Sequence, residues 1–104
     1  MKLSIGYITF PNKAEAQKVM LTLIEDGLIA CANIMPGAES LFVWEDEIVK
    51  AEEVIAFFKT RRKNEDKIIK RVRQLHSYEL PCVVFWPIEN GNPHFLDWVE
   101  RSSA

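Results

Sequence analysis

The stretch from Leu28 to Thr60 limits the possible folds more than any other part of the sequence. Leu28 to Met35 is nearly continuous apolar sequence, Pro36-Gly37 punctuates it, and Ser40 to Trp44 resumes it. The polar triplet Glu45-Asp46-Glu47 should turn the chain, and Ile48 to Thr60 reads as a second strand. Two β-prone arms around one polar turn make a hairpin of about thirty residues. Each arm exceeds the usual ~5–6-residue strand, so the outer half should project beyond a compact sheet. Pro36 cannot donate to a ladder, which makes its arm an edge strand or the site of a bulge.

The flanking sequence supplies the rest of the fold. Leu3 to Phe10 is a strand, stopped by Pro11. Asn12 can cap a helix, with Glu15 at the N3 place of a capping box. Ala16, Val19, Met20, Leu23 and Ile24 recur at helical spacing, and Gly27 sits where a left-handed C′ residue belongs. A second helix begins near Asn64 and carries the apolar stripe Ile68, Ile69, Val72 and Leu75. Pro81 blocks its continuation, and Val83 to Trp86 is a short strand limited by Pro87. Asn92 as N-cap and Pro93 at N1 start a last helix whose buried side reads as Phe95, Leu96, Trp98 and Val99.

The order is β-α-β-β-α-β with a C-terminal helix. This is an α+β, ferredoxin-like sandwich with a long protruding hairpin. Two helices cover one face of a four-stranded antiparallel sheet. The other face stays bare and apolar, which small domains rarely tolerate, so association through the sheet is expected.

Composition excludes several classes. The 104 residues predict a single domain over 1–104. A net charge of -2 argues against a nucleic-acid binder, and Val54 to Lys59 lacks the aromatic, glycine-rich strand motif of RNA-reading sheets. No apolar run approaches the ~18–20 residues of a membrane span, and the N-terminus has no signal-like apolar region. Two cysteines without a C-x-x-C pattern support neither a disulfide framework nor a zinc ribbon. The expectation is a soluble, cytoplasmic protein with no membrane or nucleic-acid partner.

The sharpest local motif is Leu75-His76-Ser77-Tyr78-Glu79-Leu80-Pro81. It puts an imidazole, a phenol and a carboxylate within four residues at a helix end. His76 could bind a metal or move a proton, and Glu79 could orient it; the simpler reading is a capped helix terminus. Cys31 could be a soft-metal ligand if a second ligand joins it, and is otherwise a small hydrophobe. In a sheet ordered 4-1-3-2, Cys31 and Cys82 start strands on opposite edges. Three strand spacings are ~14 Å, beyond the ~7 Å limit of a disulfide. Cys31 and His76 are kept apart in the same way, so a joint site would lie between subunits. Lys59, Arg61, Arg62, Lys63, Lys67, Lys70, Arg71 and Arg73 hold eight of the 13 basic residues. They suit an anion site, charge matching with the acidic hairpin turn, or a solvated face. Trp44, near the hairpin tip, is the tryptophan least suited to a monomer core and best suited to an interface. No nucleophile–base–orienter set can be placed, so a non-enzymatic role is expected.

The chain resembles the CutA family of divalent-cation tolerance proteins. The resemblance rests on Ala30-Cys31-Ala32-Asn33-Ile34, Pro36-Gly37, Ser40, Trp44, Glu53, Lys59-Thr60, His76 to Pro81, Pro87-Ile88, Gly91-Asn92 and Leu96-Asp97-Trp98, in order along nearly the whole domain. It implies a homotrimer similar to the PII signalling proteins. It also implies association with divalent metal ions, copper most of all, and a pocket between subunits. By position, Cys31 and His76 match suspected metal-contacting residues. Trp44, Lys59, Tyr78, Glu79 and Trp98 match the intersubunit cleft. Alternatives in other classes are a PII-like regulatory module that binds a small anion through Lys59 and nearby Arg, and a purely structural trimer. The chain departs from the family pattern at Asp46, usually Gly, at Ser77, usually Pro, and at Cys82, often Glu. Ser77 is expected to loosen the loop that holds His76.

Overall fold

Eight segments of regular structure run through the computed structural model, which describes residues 1–104. They are β1 (Leu3–Phe10), α1 (Lys13–Glu25), β2 (Cys31–Trp44), β3 (Glu47–Arg61), a 3-10 turn (Arg62–Asn64), α2 (Glu65–Leu75), β4 (Val83–Pro87) and α3 (Pro93–Ser102). The strands form one antiparallel sheet in the order β2-β3-β1-β4. This is the expected ferredoxin-like arrangement, with α1 and α2 on one face.

Local chemistry sets the boundaries. The Asn12 side chain accepts from the Glu15 backbone N–H at 2.8 Å, which starts α1. Only that half of the capping box forms, because the Glu15 carboxylate is drawn to Ser77. At the other end the Gly27 N–H donates to the Ile24 carbonyl and the Leu28 N–H to the Leu23 carbonyl. With Gly27 at φ 74° this is a Schellman cap. Pro36 lies on an edge strand and also in an irregularity: the register shifts between Met35 and Ala38, with Gly37 at φ 88°. The turn is two residues long, since Glu47 already pairs with Trp44. Glu45 and Asp46 both have positive φ, 49° and 66°, the signature of a type I′ hairpin turn. Asp46 holds a place that suits glycine, and aspartate is among the residues that tolerate it.

Alternation along the strands separates two faces. Ile8, Phe10, Val54, Ala56 and Phe58 pack against Val19, Leu23, Ile68 and Val72 of α1 and α2. Each of these side chains other than Ala56 contributes roughly 1.5–3 kcal/mol of burial free energy. The Phe58 ring lies across Gly6, where an added Cβ would sit 2.0 Å from its Cζ atom. Phe85 meets the same ring edge-on at 5.7 Å. The odd-numbered positions of β1 and β3 look the other way. Ile5, Tyr7, Ile55 and Phe57 join Val84 and Trp86 on a face that no helix covers. Tyr7 packs there against Phe57 and Trp86.

Two expectations need correction. The apolar side of α3 is not buried: only Val99 is, while Phe95 and Trp98 remain exposed and lie against each other. The helix docks at the end of the sheet instead of over it. Its anchors are Val99, the Arg61 side chain on the Glu100 carbonyl at 2.7 Å, and the Asn64 side chain on the Ser103 carbonyl at 3.1 Å. Nor is Trp44 distinct in exposure: Trp44, Trp86 and Trp98 are 40%, 45% and 39% exposed. The hairpin does project. Pairing of β1 ends at Phe10 with Val54, so the ribbon beyond has two strands only, and the molecule measures 44 × 25 × 22 Å.

Candidate functional site: a groove under the hairpin

Where β1 stops and the hairpin continues, the open sheet face forms one wall of a groove of about 790 Å³. Register and alternation put Ser40, Phe42, Trp44, Val49, Ala51 and Glu53 on that wall. Tyr7 and Thr9 contribute the end of β1, and Tyr78, Glu79, Leu80 and Cys82 close the other side. Most of the lining is apolar, the titratable groups are Tyr7, Glu53, Tyr78, Glu79 and Cys82, and no Lys or Arg lines it.

His76 holds the loop that closes the groove. It ends α2 with an extended backbone, and its ring stacks on Phe10 at 4.8 Å. The Nε2 atom lies 2.8 Å from the Thr9 carbonyl. A carbonyl only accepts, so Nε2 carries the proton, and Nδ1 accepts from the Tyr78 N–H at 3.0 Å. Both nitrogens of this buried imidazole are therefore engaged within the chain. Ser77 does not loosen the loop. Its N–H and hydroxyl each donate to Glu15 Oε2 at 3.0 Å, which ties the loop to α1.

Tyr78 then reaches across and donates to Glu53 Oε2 at 2.7 Å. Burial and the Glu53 carboxylate push the phenol well above its ordinary pKa of 10.0. Burial, and then the same carboxylate, raise the Cys82 thiol, so this cysteine is not activated as a nucleophile. Burial, then Cys82 and Glu53, raise Tyr7. The Tyr78 shift has a consequence for stability. The folded state holds the phenolic proton more tightly than the unfolded chain does. The contribution is thus complete below about pH 10 and is lost as pH rises through the folded-state value. Denaturant titrations from pH 8 to 11 should show wild-type stability falling more steeply above pH 10 than that of Tyr78→Phe. Parallel curves would mean that the phenol is not held as described.

The expected site residues are divided. Trp44, Tyr78 and Glu79 line the groove; Lys59, Trp98, Cys31 and His76 do not. Cys31 pairs with Lys59, which is level with Ile5, whereas His76 stacks on Phe10. Five residues of strand separate those levels, about 17 Å. The structure does not bring Cys31 and His76 together within one chain, and it holds no cluster of three His, Cys, Asp or Glu side chains suited to a metal ion. Lys59 donates to Asn33 Oδ1 at 2.9 Å on the open face. Sequence reasoning alone does not join Glu53 and Tyr7 to Tyr78. The available signal was alternation, which places Glu53 on the same face as Ile55 and Phe57.

Sequence comparison gives the lineage. A family model described as "CutA1 divalent ion tolerance protein" matches residues 4–102. The chain belongs to the CutA1 family. The divalent-cation tolerance protein CutA of Thermus thermophilus is 36% identical over 97 residues, 93% of this chain and 94% of that protein. Protein CutA 1, chloroplastic, of Oryza sativa subsp. japonica is 35% identical over 99 residues. There the match covers 95% of this chain but only 56% of the relative, so the chain spans about half the length of that CutA1 protein. The crystal structure of CutA1 from Oryza sativa superimposes with a TM-score of 0.97 at 33% identity, covering 100% of this chain and 95% of that one. The CutA1 fold is thus shown along the whole chain, and the three departures acquire places within it. Asp46 is in the turn, Ser77 is the tie to α1, and Cys82 is on the groove wall.

Proposed function

We propose that the chain acts as a homotrimer that binds divalent metal ions, copper above all, between subunits, as a tolerance protein and not as a catalyst. Cys31 carries this reading. Its thiol is free and half-buried, in register with Lys59 and Ile5 beside the uncovered apolar face. A copy associating through that face would meet it. Cys31 is the soft ligand in this scheme, and His76 joins only by giving up its bond to Thr9 or Tyr78. Trp44, Lys59, Tyr78, Glu79 and Trp98 border the cleft between copies. The acidic lining of the groove favours a cation over the small anion of a PII-like module. Two cysteines outside any disulfide suit a reducing compartment such as the cytoplasm. No helix is long and apolar enough to cross a membrane.

Anaerobic calorimetric titration with copper tests the reading on wild type, Cys31→Ser and His76→Ala, alongside sedimentation. The expected result is three chain masses for wild type and at least about tenfold weaker copper binding in Cys31→Ser. Unchanged affinity in both variants would remove these residues from the site. A monomer at micromolar concentration would remove the trimer.

A further inference from the structure

Four cationic side chains meet at the end of the sheet opposite the hairpin. Lys2, Arg61, Arg62 and Lys63, with Glu100, line a hollow of about 370 Å³ that has no apolar residue in its wall. The β1–β3 ladder brings the cations together. Leu3 pairs with Arg61, and the Arg62 N–H donates to the Lys2 carbonyl at 3.0 Å, so Lys2 and Arg62 stand opposite each other. Like charges directly opposite across a ladder destabilise it. No carboxylate of the chain pairs with any of the four: the ion pairs are Arg71 with Asp26 and His76 with Glu15. Glu65, the next acid along the chain, accepts instead from the buried Ser4 hydroxyl. Four cations and one carboxylate leave a local excess of three positive charges (4 − 1) in a chain whose net charge is -2. One of the four is also held in place. Arg61 is half-buried, and its Nε donates to the Glu100 carbonyl at 2.7 Å, which fixes the plane of the guanidinium. Its two terminal amino groups have no partner within the chain.

We propose that this hollow binds a compact inorganic polyphosphate of about the size of pyrophosphate. The Arg61 fork grips one phosphoryl group through two N–H···O bonds, a geometry that a planar guanidinium offers and an ammonium does not. Lys2, Arg62 and Lys63 neutralise the remaining charge and relieve the repulsion across the ladder. The wall offers no aromatic or aliphatic side chain. A nucleobase or an acyl chain would therefore gain nothing there, which favours a free polyphosphate over the tail of a larger molecule. The hollow starts level with Leu3, whereas the groove starts beyond Phe10; the seven residues of strand between them span about 23 Å. It uses none of Cys31, Lys59 and His76, so it stands apart from the copper reading.

Calorimetry and amide NMR test this on the assembled protein, stripped of metal and held at 0.15 M salt. Pyrophosphate should move the resonances of Arg62, Lys63 and Glu100 and bind at least about tenfold more tightly than orthophosphate or sulfate. Arg62→Gln/Lys63→Gln removes two charges at exposed positions, so it should weaken pyrophosphate at least about tenfold with circular dichroism unchanged. Lys70→Gln/Arg73→Gln removes the same charge further along α2, beyond the ~8 Å screening length, and should change the affinity by less than about twofold. Arg61→Lys keeps the charge and loses the fork, so it should erase the preference for pyrophosphate over orthophosphate. Equal affinity for the three anions, or equal losses in the two double variants, would overturn the proposal, because a diffuse positive surface would then be enough. ADP binding more tightly than pyrophosphate would overturn it too, since a nucleoside would then be recognised. So would the absence of any heat or resonance shift with millimolar pyrophosphate. Copper affinity is read separately, so either reading can fail alone.

Discussion

Gly6→Ala is expected to destabilise the protein by about 3 kcal/mol, at the upper end of the range for overpacking a well-filled core. The new methyl group would overlap the Phe58 ring, with the nearest atoms at 2.0, 2.3 and 2.6 Å. The ring cannot simply swing aside. Phe58 is fully buried and Phe85 meets it edge-on. Nor can the backbone retreat, because Gly6 pairs with Phe58 on one side and Phe85 on the other, in the central strand. Urea unfolding at fixed protein concentration should show a lower midpoint with an unchanged slope. Adding Phe58→Leu makes room, so the double variant should be more stable than the sum of the two single losses predicts. Strict additivity would show that the ring does not occupy the space over Gly6.

Asn64→Asp should cost about 3–5 kcal/mol at neutral pH, the range for an uncompensated buried charge. The Asn64 amide is buried beneath α3, and its Nδ2 donates to the carbonyls of Leu28 and Ser103 at 3.2 and 3.1 Å. It also lies 3.4 Å from Thr60 Oγ1, whose own proton goes to the Leu28 carbonyl at 2.6 Å. A carboxylate of the same shape would face acceptors where a donor is required. Folding therefore raises the pKa of the new carboxyl above its unfolded value of about 3.9. The sign follows: the deficit is smallest below about pH 4 and grows as pH rises. Comparing urea midpoints of wild type and variant from pH 3 to 8 checks this. A deficit independent of pH would point to lost packing instead of a buried charge.

Sequence reasoning reached the fold through features that act locally. Asn12, Gly27, Asn92 and Pro93 determine where helices start or stop with partners only a few residues away. Pro36 betrays an edge strand because a missing N–H has the same meaning in any context. Alternation in β1 and β3 is enough to reveal an uncovered sheet face. The groove was less legible, because its chemistry joins residues distant in sequence. Tyr78 and Glu53 are 25 positions apart, and Glu15 and Ser77 are 62 apart. Glu53 reads as one more acid beside Glu52 on an exposed hairpin. His76 reads as a ligand because nothing in its neighbourhood announces that Thr9 and Tyr78 already use both nitrogens. Phe95 and Trp98 show the limit of periodicity, which identifies an apolar helical stripe but not whether anything in the same chain covers it.

The position of β1 bears on how the protein is made. It is the first strand in the chain, yet its two neighbours are β3 and β4, and the second of these ends at Pro87. A nascent chain leaving the ribosome at roughly 5–20 residues per second carries this apolar segment for several seconds before its last partner is synthesised. The β2–β3 hairpin needs no such delay, since its strands meet at a two-residue turn. Ordering during synthesis would thus begin with the hairpin, β1 would join β3 next, and the edge strand β4 would complete the sheet last. Conditions that slow elongation prolong the interval in which β1 is open to the wrong partners.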